Sequence, residues 1–271
     1  MQALTLSDEW PAENVAVAAI GAEGVLGQRG EARRVFRWAS VTKPVTALAT
    51  LVAAEEGTLD LDEPAGPPGA TVRHLLAHAS GLPFEGTTPI APPGKRRIYS
   101  NAGFEELGRV LEAGAEMPFA EYLQQAVLDP IGMAGTKLVG SPAAGLHGTL
   151  DDLVALASEL LRPTLIAAET LAEATSVQFP GLAGVIPDLG RFDPNDWGLG
   201  FELKNGKQPH FAGTLMSPRT FGHWGGSGTF LWIDPERGFA LATLTDLEFG
   251  GWAKEAWPRF SDAVVSELFG A

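Results

Sequence analysis

The chain has 271 residues, 45% of them hydrophobic, and a formal net charge of −14 at pH 7. This length and hydrophobic content allow a large buried core, while the negative charge disfavours a nucleic-acid partner and adsorption to an anionic membrane. The chain has no cysteine, which excludes disulfides, thiolate catalysis and Cys-ligated zinc.

The first predicted element is a β-hairpin in residues 13–31, where two short apolar runs flank a glycine-containing turn. The segment before it has neither the regions of a secretory signal nor an apolar run long enough to cross a bilayer. We therefore expect a cytoplasmic protein with no membrane partner. From Ser40, apolar residues recur at helical spacing until Gly57, which predicts a long, mostly buried helix that starts at Ser40.

The middle of the chain, from about Thr71 to Gln178, shows helical periodicity in segments separated by loops rich in glycine and proline. After Asp196 the segments become short and rich in aromatic and β-branched residues, which predicts strands. The last predicted element is a C-terminal helix that is interrupted at Pro258.

This order of elements predicts an α+β fold. The N-terminal and C-terminal strands are expected to form one antiparallel sheet flanked by helices, in an α/β part at about residues 1–69 and 195–271. An all-helical subdomain is predicted as an insertion at about residues 70–194. We expect a single domain over residues 1–271.

The first candidate for chemistry is the pair Ser40 and Lys43. The two residues are three positions apart, so on a helix their side chains lie on one face, one turn from each other. A Ser-x-x-Lys pattern is expected by chance about 0.24 times in a chain of this composition. Alone, it is also explained by a serine that caps the helix and a solvated lysine.

The second candidate is Tyr99-Ser100-Asn101, just before a predicted helix. Tyr-x-Asn is expected by chance only about 0.03 times here, because tyrosine and asparagine are both rare in this chain. The alternative interpretation is structural: Ser100 or Asn101 caps the helix, and Tyr99 packs beside it.

The third candidate is His223-Trp224-Gly225-Gly226, on a predicted strand. A structural alternative exists here too, since glycines in a strand often mark a bulge or a close approach of two backbones.

In this order, SVTK, YSN and HWGG resemble the three motifs of the serine β-lactamase and penicillin-binding-protein superfamily, in particular its class C β-lactamase and esterase branch. The connecting phrases LLAHASGLP, PGKRRIYSNAGFEELGRVLE and LDPIGMAGTKL are similar to those of the same branch. The resemblance covers residues 36–246. It implies a β-lactamase/transpeptidase-like catalytic domain and a hydrolase that forms an acyl-enzyme on Ser40.

Catalytic roles then follow for Ser40, Lys43 and Tyr99. A serine hydroxyl is a weak nucleophile and needs a base within hydrogen-bond reach. Lys43 can be this base only if burial lowers its pKa, and the apolar sequence around it favours burial. Tyr99 is the second candidate, as base or as the acid for the leaving group, and the sequence leaves this choice open. Asn101 is expected to orient Lys43 and to bind substrate.

The resemblance implies an oxyanion hole made by the N–H groups of Ser40 and Gly226. His223, Trp224 and Gly225 are expected to contact substrate, which can lie close along a glycine-containing strand. For Trp224, packing in the core is an equally good interpretation. His223 stands where β-lactamases and transpeptidases usually carry a lysine, and a mostly neutral imidazole should recognise a substrate carboxylate less well.

The remaining histidines carry no predicted chemistry. His78 is interpreted as structural, and His74, His147 and His210 have no partners at metal-ligand spacing. No metal and no cofactor is therefore assigned.

The leading prediction is a serine hydrolase, most plausibly a carboxylesterase on small neutral esters. The second is a weak β-lactamase or a D-amino-acid amidase or peptidase, and the third is a non-hydrolysing binding or sensor module. The expected partner is a small-molecule ester or amide. The sequence does not determine the oligomeric state.

Overall fold

A computed structural model describes residues 1–270. Its strands, in chain order, are β1 (Val15–Gly21), β2 (Gly24–Arg29), β3 (Phe36–Arg37), β4 (Arg97–Ile98), β5 (Lys137–Leu138), β6 (Leu146–Gly148), β7 (Gly184–Ile186), β8 (Gly190–Phe192), β9 (Glu202–Leu203), β10 (Phe221–Gly225), β11 (Thr229–Asp234) and β12 (Phe239–Thr245).

The α-helices are α1 (Thr42–Glu55), α2 (Val72–Leu76), α3 (Asn101–Ala115), α4 (Phe119–Leu123), α5 (Leu150–Leu161), α6 (Ala168–Ala174) and α7 (Gly251–Phe269). Short 3-10 helices cover Ala3–Glu9 and Ala39–Val41, and a π-helical turn covers Gln124–Leu128. No helix within residues 1–270 has the length and apolar composition that a membrane span needs. The cytoplasmic location stays a prediction.

The main sheet joins the two ends of the chain. Its strand order is β2-β1-β12-β11-β10-β9, and every neighbouring pair is antiparallel. The N-terminal hairpin therefore pairs directly with the C-terminal strands, and the predicted α+β fold is confirmed.

Alternation along β1 divides the core into two layers. Ala16, Ala18 and Ile20 belong to the cluster that includes α1 and α5, whereas Val17 and Ala19 belong to the cluster that includes α7. Successive side chains of a strand point to opposite faces, so this interior strand is apolar on both sides. Helices cover both faces of the sheet, and this arrangement holds α1, which follows Ser40, against one of them.

The prediction of an all-helical insertion is wrong in detail. The strands β4 to β8 all lie within residues 70–194, where they form two small sheets together with β3. Strands of two or three residues are too short to show the alternation that reveals a strand in a sequence. One of these sheets pairs β6 with β3, and so connects the insertion to the segment just before Ser40.

The C-terminal helix corrects another prediction. α7 runs without a break from Gly251 to Phe269, although Pro258 lies inside it. A proline removes one N–H from the helical ladder and disfavours the helix at that point. Trp257, Phe260 and Val264 are all fully buried in the cluster beneath the sheet, and their packing holds the helix together on both sides of the proline.

Replacing Pro258 should make the protein more stable. Alanine restores the missing N–H, and we expect Pro258→Ala to raise the free energy of unfolding by about 1 kcal/mol after the entropic effect of the lost ring is included. Urea and thermal unfolding would measure this change. Glu255→Ala, at an exposed position of the same helix, is the control and should change stability by less than about 0.5 kcal/mol. A loss of stability in Pro258→Ala would contradict the analysis.

Candidate active site

Ser40 lies in the short 3-10 turn Ala39–Val41, which leads directly into α1. Ala39 has a φ of 45°, in the left-handed region that a residue with a side chain adopts only when its surroundings hold it there. The turn presents the half-buried Ser40 at the start of a buried helix. This backbone conformation is unfavourable by itself, so other contacts must hold it.

Two hydroxyl groups that follow the third motif in the sequence provide such contacts. Ser227 Oγ donates a hydrogen bond to the carbonyl oxygen of Arg37 at 2.6 Å, and Thr229 Oγ1 donates one to the carbonyl oxygen of Trp38 at 2.9 Å. These bonds attach the strained turn to the strand pair β10–β11. Sequence analysis missed both residues, although two hydroxyls directly after HWGG are a usable signal.

Gly225 brings the strand β10 into contact with the serine turn. A Cβ atom at this position would overlap the carbonyl oxygen of Trp38 and would lie 3.2 Å from Ser40 N, so only glycine fits. The next residue, Gly226, is exposed, and its carbonyl oxygen accepts the N–H of Phe249 at 2.8 Å. The two N–H groups predicted to form an oxyanion hole therefore belong to adjacent backbone segments.

The amine of Lys43 joins three segments of the chain. Its Nζ lies 3.0 Å from Ser40 Oγ, 2.7 Å from Asn101 Oδ1 and 3.0 Å from the carbonyl oxygen of Ala143. Asn101 begins α3, and Ala143 lies between β5 and β6. The side chain of Lys43 is 0% exposed. The role of Ala143 could not be found in the sequence, because every residue has a carbonyl group.

These contacts suit a neutral amine. Burial lowers the pKa of Lys43 well below its ordinary value, against a smaller opposing effect of the Glu105 carboxylate. A neutral amine has two N–H donors and one lone pair. The oxygens of Asn101 and Ala143 accept the two N–H groups. The lone pair is then left for the hydroxyl of Ser40, and Lys43 can take its proton.

Tyr99 lies between Ser40 and a group of aromatic rings. Its ring centroid is 4.7 Å from that of His78, 5.7 Å from that of Trp197 and 5.8 Å from that of His223. Burial raises the pKa of the Tyr99 hydroxyl above its ordinary value, and a hydrogen bond with Ser40 opposes this shift only in part. Tyr99 is therefore a neutral phenol, which can give a proton more readily than it can take one.

His223 is 1% exposed and packs against Tyr99 and Trp197. Its Nδ1–H donates to the carbonyl oxygen of Trp224 at 2.7 Å, which leaves Nε2 as an acceptor without a hydrogen-bond partner in residues 1–270. Burial is the main cause that lowers the pKa of His223 to about 3. The imidazole is neutral at pH 7. Its predicted contact with substrate stays a prediction.

Trp224 lies mostly in the core. It is 9% exposed, and its ring centroid is 5.0 Å from that of Phe211 and 4.8 Å from that of Phe249. Of the two interpretations of this residue, packing accounts for its position. Its contact with substrate stays a prediction.

Two side chains hold the second motif in place. Ser100 Oγ accepts the N–H of Gly103 at 2.9 Å and so caps α3, while Asn101 is free to contact Lys43. His78 Nδ1 accepts the N–H of Ser100 at 3.1 Å, in agreement with a structural role.

His210 belongs to a buried polar group around Glu202. Its Nε2–H donates to Glu202 Oε1 at 3.1 Å, and Lys207 Nζ lies 3.5 Å from the same oxygen. Burial alone would raise the pKa of Glu202, but Lys207 and His210 together lower it to about 2. Within the described part of the chain, no group of three or more His, Asp or Glu side chains is placed to hold a metal ion.

A buried amine in contact with a serine hydroxyl, with a phenol beside it, is an arrangement that can activate a serine as a nucleophile. The Beta-lactamase family model matches residues 13–264, and the chain belongs to this family.

Three relatives show how far this similarity extends. A β-lactamase from Mycobacterium bovis is 50% identical, with a TM-score of 0.96 over 98% of both chains. Penicillin-binding protein 4* of Bacillus subtilis is 27% identical over 85% of this chain but only 57% of its own length, so this chain spans little more than half of that relative. Esterase EstB of Burkholderia gladioli is 24% identical over 86% of this chain and 82% of its own length.

Arginine at position 43 should abolish most of the activity. Lys43→Arg keeps a cation that cannot lose its proton, so the hydrolysis rate should fall by about 10²–10⁴-fold. Hydrolysis of p-nitrophenyl acetate measures the rate, and thermal unfolding checks the fold. Lys137→Arg, at an exposed lysine, is the control and should retain full activity. Near-normal activity of Lys43→Arg in a folded protein would mean that Lys43 is not the base.

The hydroxyl of Thr229 should matter for activity because it holds the turn before Ser40. We expect Thr229→Val to lower kcat by about tenfold, since small displacements of reacting groups are costly. Thr243→Val is a matched control, because Thr243 is equally buried but its hydroxyl has no hydrogen-bond partner within residues 1–270. It should leave kcat unchanged. Equal effects of the two substitutions would argue against a positioning role for Thr229.

Proposed function

We propose that this protein is a carboxylesterase of the class C and esterase branch, which hydrolyses small neutral esters through an acyl-enzyme on Ser40. The observation that carries this proposal is the neutral imidazole at the third motif. With a pKa of about 3, His223 offers no positive charge to a substrate carboxylate at neutral pH. A neutral ester needs no such charge. The likeness to esterase EstB supports the same substrate class.

In the first half of the reaction, the oxygen of Ser40 attacks the ester carbonyl carbon while Lys43 takes the hydroxyl proton. The N–H groups of Ser40 and Gly226 stabilise the negative charge on the carbonyl oxygen. The bond between the carbonyl carbon and the alcohol oxygen then breaks, and Tyr99 gives its proton to the departing alcohol. Lys43 returns the first proton to Tyr99, so both groups are neutral again.

In the second half, water attacks the acyl group on Ser40. Lys43 takes a proton from the water, and the bond between the acyl carbon and Ser40 breaks. Lys43 gives the proton that it took from water to the Ser40 oxygen, and the carboxylic acid leaves. The choice of Lys43 as base is supported by its lowered pKa and by the 3.0 Å distance between its Nζ and Ser40 Oγ. The choice of Tyr99 as acid is supported by its raised pKa, which keeps the phenol protonated.

Hydrolysis of a β-lactam or a D-amino-acid amide is the second candidate. It is favoured by one observation, the 50% identity with a relative that is described as a β-lactamase. The third candidate, a binding module without hydrolysis, is disfavoured because the contact of Lys43 with Ser40 is fully formed.

Substrate preference tests these candidates directly. We expect kcat/KM to be higher for p-nitrophenyl acetate than for a chromogenic cephalosporin, because the ester has no carboxylate that requires a cation. His223→Lys should shift the ratio toward the cephalosporin, because the amine can take up a proton when the carboxylate of the substrate lies beside it. D-Amino-acid p-nitroanilides complete the panel, and intact-mass measurement detects an acyl adduct.

Ser40→Ala is the control and should abolish turnover and the adduct. A strong wild-type preference for the cephalosporin or for the anilides would contradict the esterase proposal and select the second candidate. The absence of both turnover and adduct on all substrates would select the third.

A further inference from the structure

Phe84 is an aromatic side chain at the surface beside the candidate active site. It is 48% exposed, and its ring stacks on that of Tyr99 with centroids 6.0 Å apart and an angle of 26° between the planes. Phe84 covers part of the Tyr99 ring and exposes its own apolar ring beside it. A molecule bound next to Tyr99 can therefore contact Phe84.

The position of Phe84 is fixed by the same helix end that carries the second motif. Its carbonyl oxygen accepts the N–H of Asn101 at 3.0 Å and that of Ala102 at 3.2 Å. Asn101 in turn holds Lys43. Phe84 is thus tied to the reacting groups through backbone hydrogen bonds, and its ring has a defined place relative to the Tyr99 hydroxyl.

The two parts of an ester meet different surfaces in this arrangement. In the proposed reaction the acyl part is held with its carbonyl oxygen near Gly226, next to which Phe249 is half-buried. The alcohol part lies next to the Tyr99 hydroxyl, because that group supplies the proton with which the alcohol leaves. Phe84 stacks on Tyr99 and is therefore on the alcohol side.

We propose that Phe84 determines specificity for the alcohol part of the ester and selects alcohols with an apolar or aromatic group. This inference rests on the proposed esterase function. An aromatic alcohol such as benzyl alcohol covers the exposed face of Phe84 and removes apolar surface from water, whereas ethanol is too small to do so.

A matrix of esters separates the two sides of the site. One series keeps the acetyl group and changes the alcohol from ethyl to benzyl, which are alcohols of similar leaving ability. The other series keeps the ethyl group and changes the acyl chain from acetyl to hexanoyl. We expect the wild type to prefer benzyl acetate over ethyl acetate in kcat/KM, and Phe84→Ala to reduce this preference by about tenfold. The hexanoyl-to-acetyl ratio should stay within about twofold.

Ile90→Ala is the matched control. Ile90 is also exposed (61%) and lies in the same loop, but it has no aromatic ring to stack on Tyr99. It should keep the benzyl preference. If the alanine variant does not fold, Phe84→Leu replaces it in the test. This variant should lose part of the preference for benzyl acetate over ethyl acetate.

The inference is overturned if the wild type shows no benzyl preference, if Phe84→Ala keeps it, or if that substitution changes the acyl ratio instead. In each of these cases ester hydrolysis itself still stands. Failure of the wild type to hydrolyse any ester in the matrix would overturn the proposed function, and this inference with it.

Discussion

The burial of one amine constrains most of the geometry of this site. A fully buried ammonium ion is costly, so Lys43 is stable in its position only as a neutral base with every hydrogen-bonding capacity used. Its three partners come from the 3-10 turn before α1, from the start of α3 and from the loop between β5 and β6. Each of these segments must hold its place, since a shift of any one leaves a polar atom buried without a partner.

The groups around this amine share its lack of charge. Burial lowers the pKa of His78 and of His223 and raises that of Tyr99, so all three are neutral at pH 7. The side chains of Lys43, Tyr99 and His223 therefore act through hydrogen bonds, while the buried carboxylate of Glu202 adds a negative charge that acts on Tyr99 and His223.

The sequence predicted those parts of the site that follow from local spacing. Ser40 and Lys43 meet because three residues are nearly one helical turn, and Ser100 caps α3 because it precedes an apolar helical pattern. The sheet formed by the two chain ends was also predictable, since β1 and β10–β12 have clear strand composition. The resemblance to a known family added the roles that spacing alone left open.

Other features could not be predicted because they depend on contacts between distant segments. The carbonyl oxygen of Ala143 has no signature in a sequence, and the left-handed Ala39 is a residue type that rarely adopts such a conformation. The strands β4 to β8 are too short to show a period. Pro258 does not end its helix, because tertiary packing outweighs the local preference.

The pairing of β1 with β12 has a consequence for how the chain reaches its fold. Val15 lies opposite Thr245, so β1 pairs with a strand that lies about 230 residues further along the chain. Until β12 joins it, β1 is an apolar strand with an unpaired edge. Pairing between segments so far apart in the sequence makes folding slow, and the chain has to be kept from associating through β1 until β12 is available.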